Sequence, residues 1–267
     1  MNHMVNKTIH LIRILILFIK INYLKVLEYR ADFIFAFFAT SFHSFGYIAF
    51  LWVVLNQVPT VVGWDFSKML TLFSVNQIMI YLSWAFFRHS LSNIHYMLRT
   101  GSFDSILKLP ISARFIISFR DHNTDLPLPL IMAFGIFLFS IKNTRLELIN
   151  ITLFIILFIC GFIILYNMLF IFITLSFWII EGQDLTAFFE ETYSYSRYPM
   201  SIFPSLVTFI FLTVIPLILM NFVPVSALLG ILDWRLAVWS VVMVFITWIV
   251  SQKFWHAGLR RYSSASS

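Results

Sequence analysis

Positions 33–55 run for 23 residues without an Asp, Glu, Lys or Arg. A helix needs roughly 20 apolar residues to cross the ~30 Å hydrocarbon core of a bilayer. Further runs of this kind lie at 69–87, 126–141, within 148–180, at 205–222 and at 236–252. The pattern predicts an all-α membrane protein with six transmembrane helices. Residues 8–30 are apolar but interrupted by Arg13, Lys20, Lys25 and Glu28. Such charges cost about 2.5–3.5 kcal/mol each at mid-membrane, so 1–32 is read as an N-terminal interfacial helix. The run at 126–141 supplies about 24 Å of helix, and Pro127 and Pro129 predict a bend or break there. The run 148–180 is too long for one straight crossing and must protrude or bend. Pro216 falls inside the fifth run. Residues 225–232 are apolar but too short to cross, which predicts a re-entrant or interfacial helix before the last span.

Composition agrees with this pattern. Of 267 residues, 60% are hydrophobic and 11% charged, too little charge for a soluble domain of this size. One membrane domain is expected over 1–267, with six spans in 33–252 and a tail at 253–267. The net charge of +6 would suggest nucleic acid in a soluble protein. Here Lys and Arg instead mark cytoplasmic loops, and no nucleic-acid partner is expected. With six spans, fourteen Lys/Arg fall on the side holding both ends and four on the other, which places both termini in the cytoplasm. Cys160 has no second cysteine to pair with and is read as a small apolar packer. No small-residue cleavage site follows the first apolar stretch, so no cleaved signal peptide is expected.

Motifs for chemistry are missing. There is no G-x-x-x-x-G-K-[ST], no G-x-S-x-G and no H-E-x-x-H, and the eight glycines are scattered. No phosphate-cradling loop, enzyme activity or metal site is expected on this chain. Polar residues inside the spans are the next candidates. His43 in the first span either lines a path or bonds a neighbouring helix. Asn76 and Gln77 in the second either line a cavity or hydrogen-bond across a helix pair.

The segment 97–112 is more informative. Ser102 is placed to cap a short helix that Pro110 ends. Phe103, Ile106 and Leu107 fall on one face, with Asp104, Ser105 and Lys108 elsewhere. A short cytosolic helix with an apolar face and basic flanks suits docking onto a soluble partner; the alternative is a helix resting on the bilayer surface.

Five stretches together resemble the ABC-2-type transporter permeases, in particular a six-span branch of formerly unknown function. They are Glu28-Tyr-Arg-Ala-Asp-Phe33, Arg99-Thr-Gly-Ser-Phe-Asp104 with Leu107-Lys-Leu-Pro110, Arg197-Tyr-Pro-Met-Ser-Ile-Phe-Pro204, Ile215-Pro-Leu-Ile-Leu-Met-Asn-Phe-Val-Pro224 and Gly258-Leu-Arg-Arg-Tyr262. The polar run 120–125 departs from the family at the start of the third span. The resemblance implies a half-transporter in a prokaryotic cytoplasmic membrane. It would pair with a second permease chain, identical or paralogous, and with a cytoplasmic ABC ATPase dimer that carries the ATP and magnesium. It makes Arg99, Gly101, Ser102, Phe103, Asp104, Leu107 and Lys108 the coupling segment, and Glu28, Tyr29, Arg30 and Asp32 the charged approach to the first span. The alternative function is a non-transporting scaffold or channel-like subunit. Orientation has a direct test. A cysteine at Ser105 on a Cys160→Ser background should escape an impermeant thiol reagent in intact cells and react in inverted vesicles. Labelling in intact cells would reverse the orientation.

Overall fold

The computed structural model describes residues 30–121, 127–179 and 182–262, together with Ile14, Leu17 and Lys20. The expected N-terminal interfacial helix, with Glu28 and Tyr29, lies almost wholly outside these residues. Arg30 and Asp32 are helical, in the first turn of α1 (Arg30–Gln57). Among the described residues the only β feature is the bridge Val61–Trp64, in the turn between α1 and α2. Asp65 starts α2 (Phe66–Ser83) by accepting the Lys68 N–H at 2.9 Å, which satisfies a donor at the helix N-terminus.

Helix α2 does not stop at 87. A π turn at Trp84–Arg88 leads into α3 (His89–Ser92) and, after Asn93, α4 (Ile94–Thr100). The whole forms one 35-residue run, Phe66–Thr100. Gly101, at φ 71°, ends it in the left-handed conformation that glycine adopts without strain. Two short helices follow, α5 (Phe103–Leu107) and α6 (Ala113–Phe119). The next are α7 (Pro127–Ser140) and α8 (Leu148–Thr174), the latter closed by a 3-10 turn to Phe177.

Among the described residues four helices are long and apolar enough to cross a membrane: Phe37–Gln57, Phe66–Thr100, Leu148–Phe177 and α13 (Trp234–Arg261). A fifth candidate is bent. It consists of α10 (Ser205–Thr213) and the pair α11 (Leu217–Met220) and α12 (Phe222–Leu228), turned by 63° at Val214–Pro216. The chain is thus a multi-pass membrane protein. The continuous fifth span expected at 205–222 is corrected to this bent pair, because Pro216 has no N–H to carry the helix through the turn. The short helix expected after 225 begins at Phe222. The expected tail at 253–267 is helical as far as Arg261, with Trp255 and Gly258 buried.

Hydrogen bonds fix the packing order. Ser67 donates to the Ser140 carbonyl at 2.6 Å, and Thr71 to the Ser140 hydroxyl at 3.0 Å, so α7 ends beside the start of α2. At the other side the Asp121 N–H donates to Ser90 at 3.2 Å. Ser67 and Ser90 stand about 34 Å apart along a helix rising 1.5 Å per residue. Helix α7 therefore runs antiparallel to α2, and Asp121 lies beside the far end of the same run. The window of α2 is 72% buried against 22% in the other three long helices. The bundle is built around α2, and the other helices turn apolar side chains such as Phe45, Ile159 and Phe245 outward, as a lipid solvent permits.

Small residues let helices approach closely. Helix α13 buries the stripe Ser240, Met243, Thr247, Ser251, Trp255 and Gly258. At Gly161 in α8, a Cβ would lie 2.5 Å from the Met220 carbonyl oxygen, whereas at Gly135 it would meet nothing within 4 Å. Gly161→Ala must push α11 away. It should cost about 1–3 kcal/mol, visible as a lowered Tm of the detergent-solubilised chain, while Gly135→Ala should leave Tm unchanged or slightly raised.

Candidate functional site

The coupling segment is anchored by Phe103. Its ring is fully buried and meets Phe177, Trp255 and Tyr262 edge-on at centroid distances of 5.8, 6.2 and 5.2 Å. Those three rings come from the ends of α8 and α13. Edge-to-face pairs of this kind add about 0.5–1.5 kcal/mol each beyond burial. Ile106 is buried beside it. Phe103 and Ile106, on the apolar face expected to suit docking onto a soluble partner, are instead spent inside the chain. What stays exposed is Ser102, Ser105, Leu107, Lys108 and Leu109, with Arg99 at the preceding turn. Ser102 sits at the N-cap of α5 without a capping side-chain bond; its hydroxyl pairs with that of Thr100 at 2.9 Å.

Two polar contacts reinforce the anchor. Tyr262 donates its hydroxyl to Asp104 at 2.9 Å. Burial and that carboxylate push the Tyr262 phenol up to about 12, so it stays a donor at physiological pH. Arg114 of α6 is buried between α8 and α13. It donates to Ser251 at 2.7 Å, Asn167 at 3.4 Å and Tyr166 at 3.3 Å, and its guanidinium lies 4.0 Å from the Phe170 ring centroid. Its Nη1 has no partner. Sequence inspection missed Arg114, since one arginine in a polar loop carries no pattern.

A second polar system lies inside the bundle. The sequence pattern places 181–204 in a loop, but α9 (Gly182–Ser194) and the turn Tyr195–Arg197 climb antiparallel to α2–α4. Thr186 meets His95 at 3.1 Å, Glu190 meets Arg88 at 2.9 Å and Ser196 meets Asn76 at 2.8 Å. The Arg88 side chain is 5% exposed and that of Glu190 38%. Asn221, at the junction of α11 and α12, donates to both Ser196 and Tyr193. The carboxamide oxygens of Asn76 and Asn221 are buried without partners.

Residues 42–266 match a protein family described as ABC-2 family transporter protein. The chain belongs to this family. No curated protein and no solved structure matches it. Membership makes the chain a permease component of an ABC transporter and implies association with the membrane and with an ABC ATPase. Components of this kind are typically non-catalytic.

The permease brings some of its sequence-predicted residues together and separates others. Phe103 and Asp104 join one site. Gly101 supplies the turn before it, while Leu107, Lys108 and Arg99 face outward. Asn76 donates to Ser196, and Gln77 donates to Tyr81 of its own helix at 3.1 Å. His43 is exposed on α1 and makes no hydrogen bond among the described residues. Among the described residues no group of three His, Cys, Asp or Glu could hold a metal. Replacing Phe103 with Ala empties the ring site. It should destabilise the permease by about 3–5 kcal/mol, measured by denaturant unfolding in detergent, and Phe103→Leu should cost clearly less.

Proposed function

We propose that the permease is the membrane half of an exporter whose energy comes from separate ATPase subunits. Six crossings are assigned. Four are the long helices, the fifth is built on α7, which runs antiparallel to α2, and the sixth is the climb through 182–213. Helices α11 and α12 then form a re-entrant dip from the outer side. This arrangement replaces a simple fifth span at 205–222 and keeps an even count, with both ends of the chain cytoplasmic. Two permease chains would pair around the translocation pathway.

The observation that carries the reading is the anchoring of Phe103 between the ends of α8 and α13, with Leu107, Lys108 and Leu109 left exposed. A push on the exposed residues cannot be absorbed by rotation of α5. It passes through the Phe103 rings, the Asp104–Tyr262 bond and the Arg114 contacts to α8 and α13. Closure of an ATPase dimer on bound ATP would supply that push and shift the spans between closed and open pathways. The exposed face is a small apolar patch beside a cation, which suits an ATPase groove with an acidic rim.

Leu107→Ala combined with Lys108→Glu should leave insertion and Tm near wild type, because neither side chain is packed inside. Truncating an interface anchor costs about 2 kcal/mol or more, so co-purification of the ATPase and transport-coupled hydrolysis should fall together. Wild-type co-purification in this variant would refute docking at this face. Hydrolysis of ATP by rigorously purified permease alone would refute the division of labour.

A further inference from the structure

A cavity of about 560 Å³ opens beside the Phe103 anchor, where α4, the end of α8 and the end of α13 converge. Its lining includes His95, Arg99, Ser176, Phe177, Arg261 and Tyr262. Arg99 and Arg261 bring two positive charges, and among the described residues no acidic side chain lines the cavity. Neither guanidinium has a hydrogen bond or ion pair among the described residues. The floor is polar and fixed. Ser176 donates to the Ile173 carbonyl at 2.6 Å, so its oxygen accepts from His95 Nδ1 at 2.7 Å, while His95 Nε2 meets the Thr186 hydroxyl at 3.1 Å. The fixed positive charge of the site rests on the two arginines.

We propose that this cavity binds the phosphate of an anionic phospholipid headgroup, clamped between Arg99 and Arg261. Three features favour a lipid. The cavity sits at the common end of three candidate spans, where a headgroup layer begins. Exposed aromatic side chains mark the same level: Tyr96 on α4 and Trp178, whose ring meets Phe254 at 5.3 Å. Aromatic residues gather at membrane–water interfaces, and basic pockets between transmembrane helices on the cytoplasmic side take anionic headgroups. The planar guanidinium fork also matches phosphate oxygens in a way an ammonium does not. A lipid held here touches α4, α8 and α13 together, so it would brace the same convergence that holds Phe103. Arg99 is thereby assigned to lipid rather than to the ATPase.

The test is native mass spectrometry of the purified permease with an equimolar mixture of phosphatidylglycerol and phosphatidylcholine. Because no ATPase is present, the result is independent of the docking proposal. Wild type should retain phosphatidylglycerol in preference. Arg99→Gln and Arg261→Gln should each lower that preference about fivefold, the effect of about 1 kcal/mol per basic residue at a membrane surface. Arg99→Lys should lower it less, and Arg145→Gln at the opposite end should leave it unchanged. Millimolar inorganic phosphate should fail to displace the lipid. Equal retention of the two lipids by wild type, an unchanged preference in both arginine variants of wild-type Tm, or full displacement by inorganic phosphate would each overturn the assignment.

Discussion

The Arg88 guanidinium, buried in the membrane bundle, is paired with the Glu190 carboxylate. The cost of an uncompensated charge in this setting is several kcal/mol. The 2.9 Å contact therefore fixes the place of α9 beside α2. Once α9 is held there, Ser196 reaches Asn76 and Asn221, and the pair α11–α12 is fastened to the centre of the bundle. The π turn at Trp84–Arg88 falls at the same point on the chain. Such turns appear often at functional positions in helices; here the Arg88 guanidinium also lies 5.2 Å from the centroid of the Trp84 ring.

The two polar systems differ in how completely they are satisfied. Around Ser196 every hydroxyl site is used: it accepts from Asn76 and Asn221 and donates to the Tyr193 carbonyl. The two amide oxygens that remain bare are the kind of buried acceptor that ordered water fills in a polar interior. The Arg114 system is held by neutral hydroxyls, an amide and an aromatic face, which together spread its charge over α8 and α13. Aromatic contact with a desolvated cation is worth about 2 kcal/mol, and this replaces an ion pair that would hold one helix alone.

Stiffness at the convergent end follows from geometry. Phe103 touches three rings from two spans, and Gly258 in α13 could not carry a Cβ, which would lie 2.6 Å from Phe177. The glycine brings α13 against the end of α8, and this makes room for the ring site of α5. Short helices such as α5 and α6 have little stability of their own. Their order comes from these contacts.

Much of this was legible along the chain. The long apolar runs determined the helical membrane class, since backbone groups in lipid must be bonded within each segment. The segment 99–110 was legible because Gly101 and Pro110 punctuate a short amphipathic stretch. The sequence could not say which way its apolar face points. A periodic pattern shows that a face is apolar, not whether a partner or the chain itself covers it, and only the folded ends of α8 and α13 decided that Phe103 is interior. Likewise, the low hydropathy of 181–204 resembles a loop, because a hydropathy reading assumes that each segment meets lipid or water alone. Arg88, Asn76 and Asn221, distant in sequence, supply the polar partners that draw 182–198 into the bundle, and only tertiary structure could bring them there.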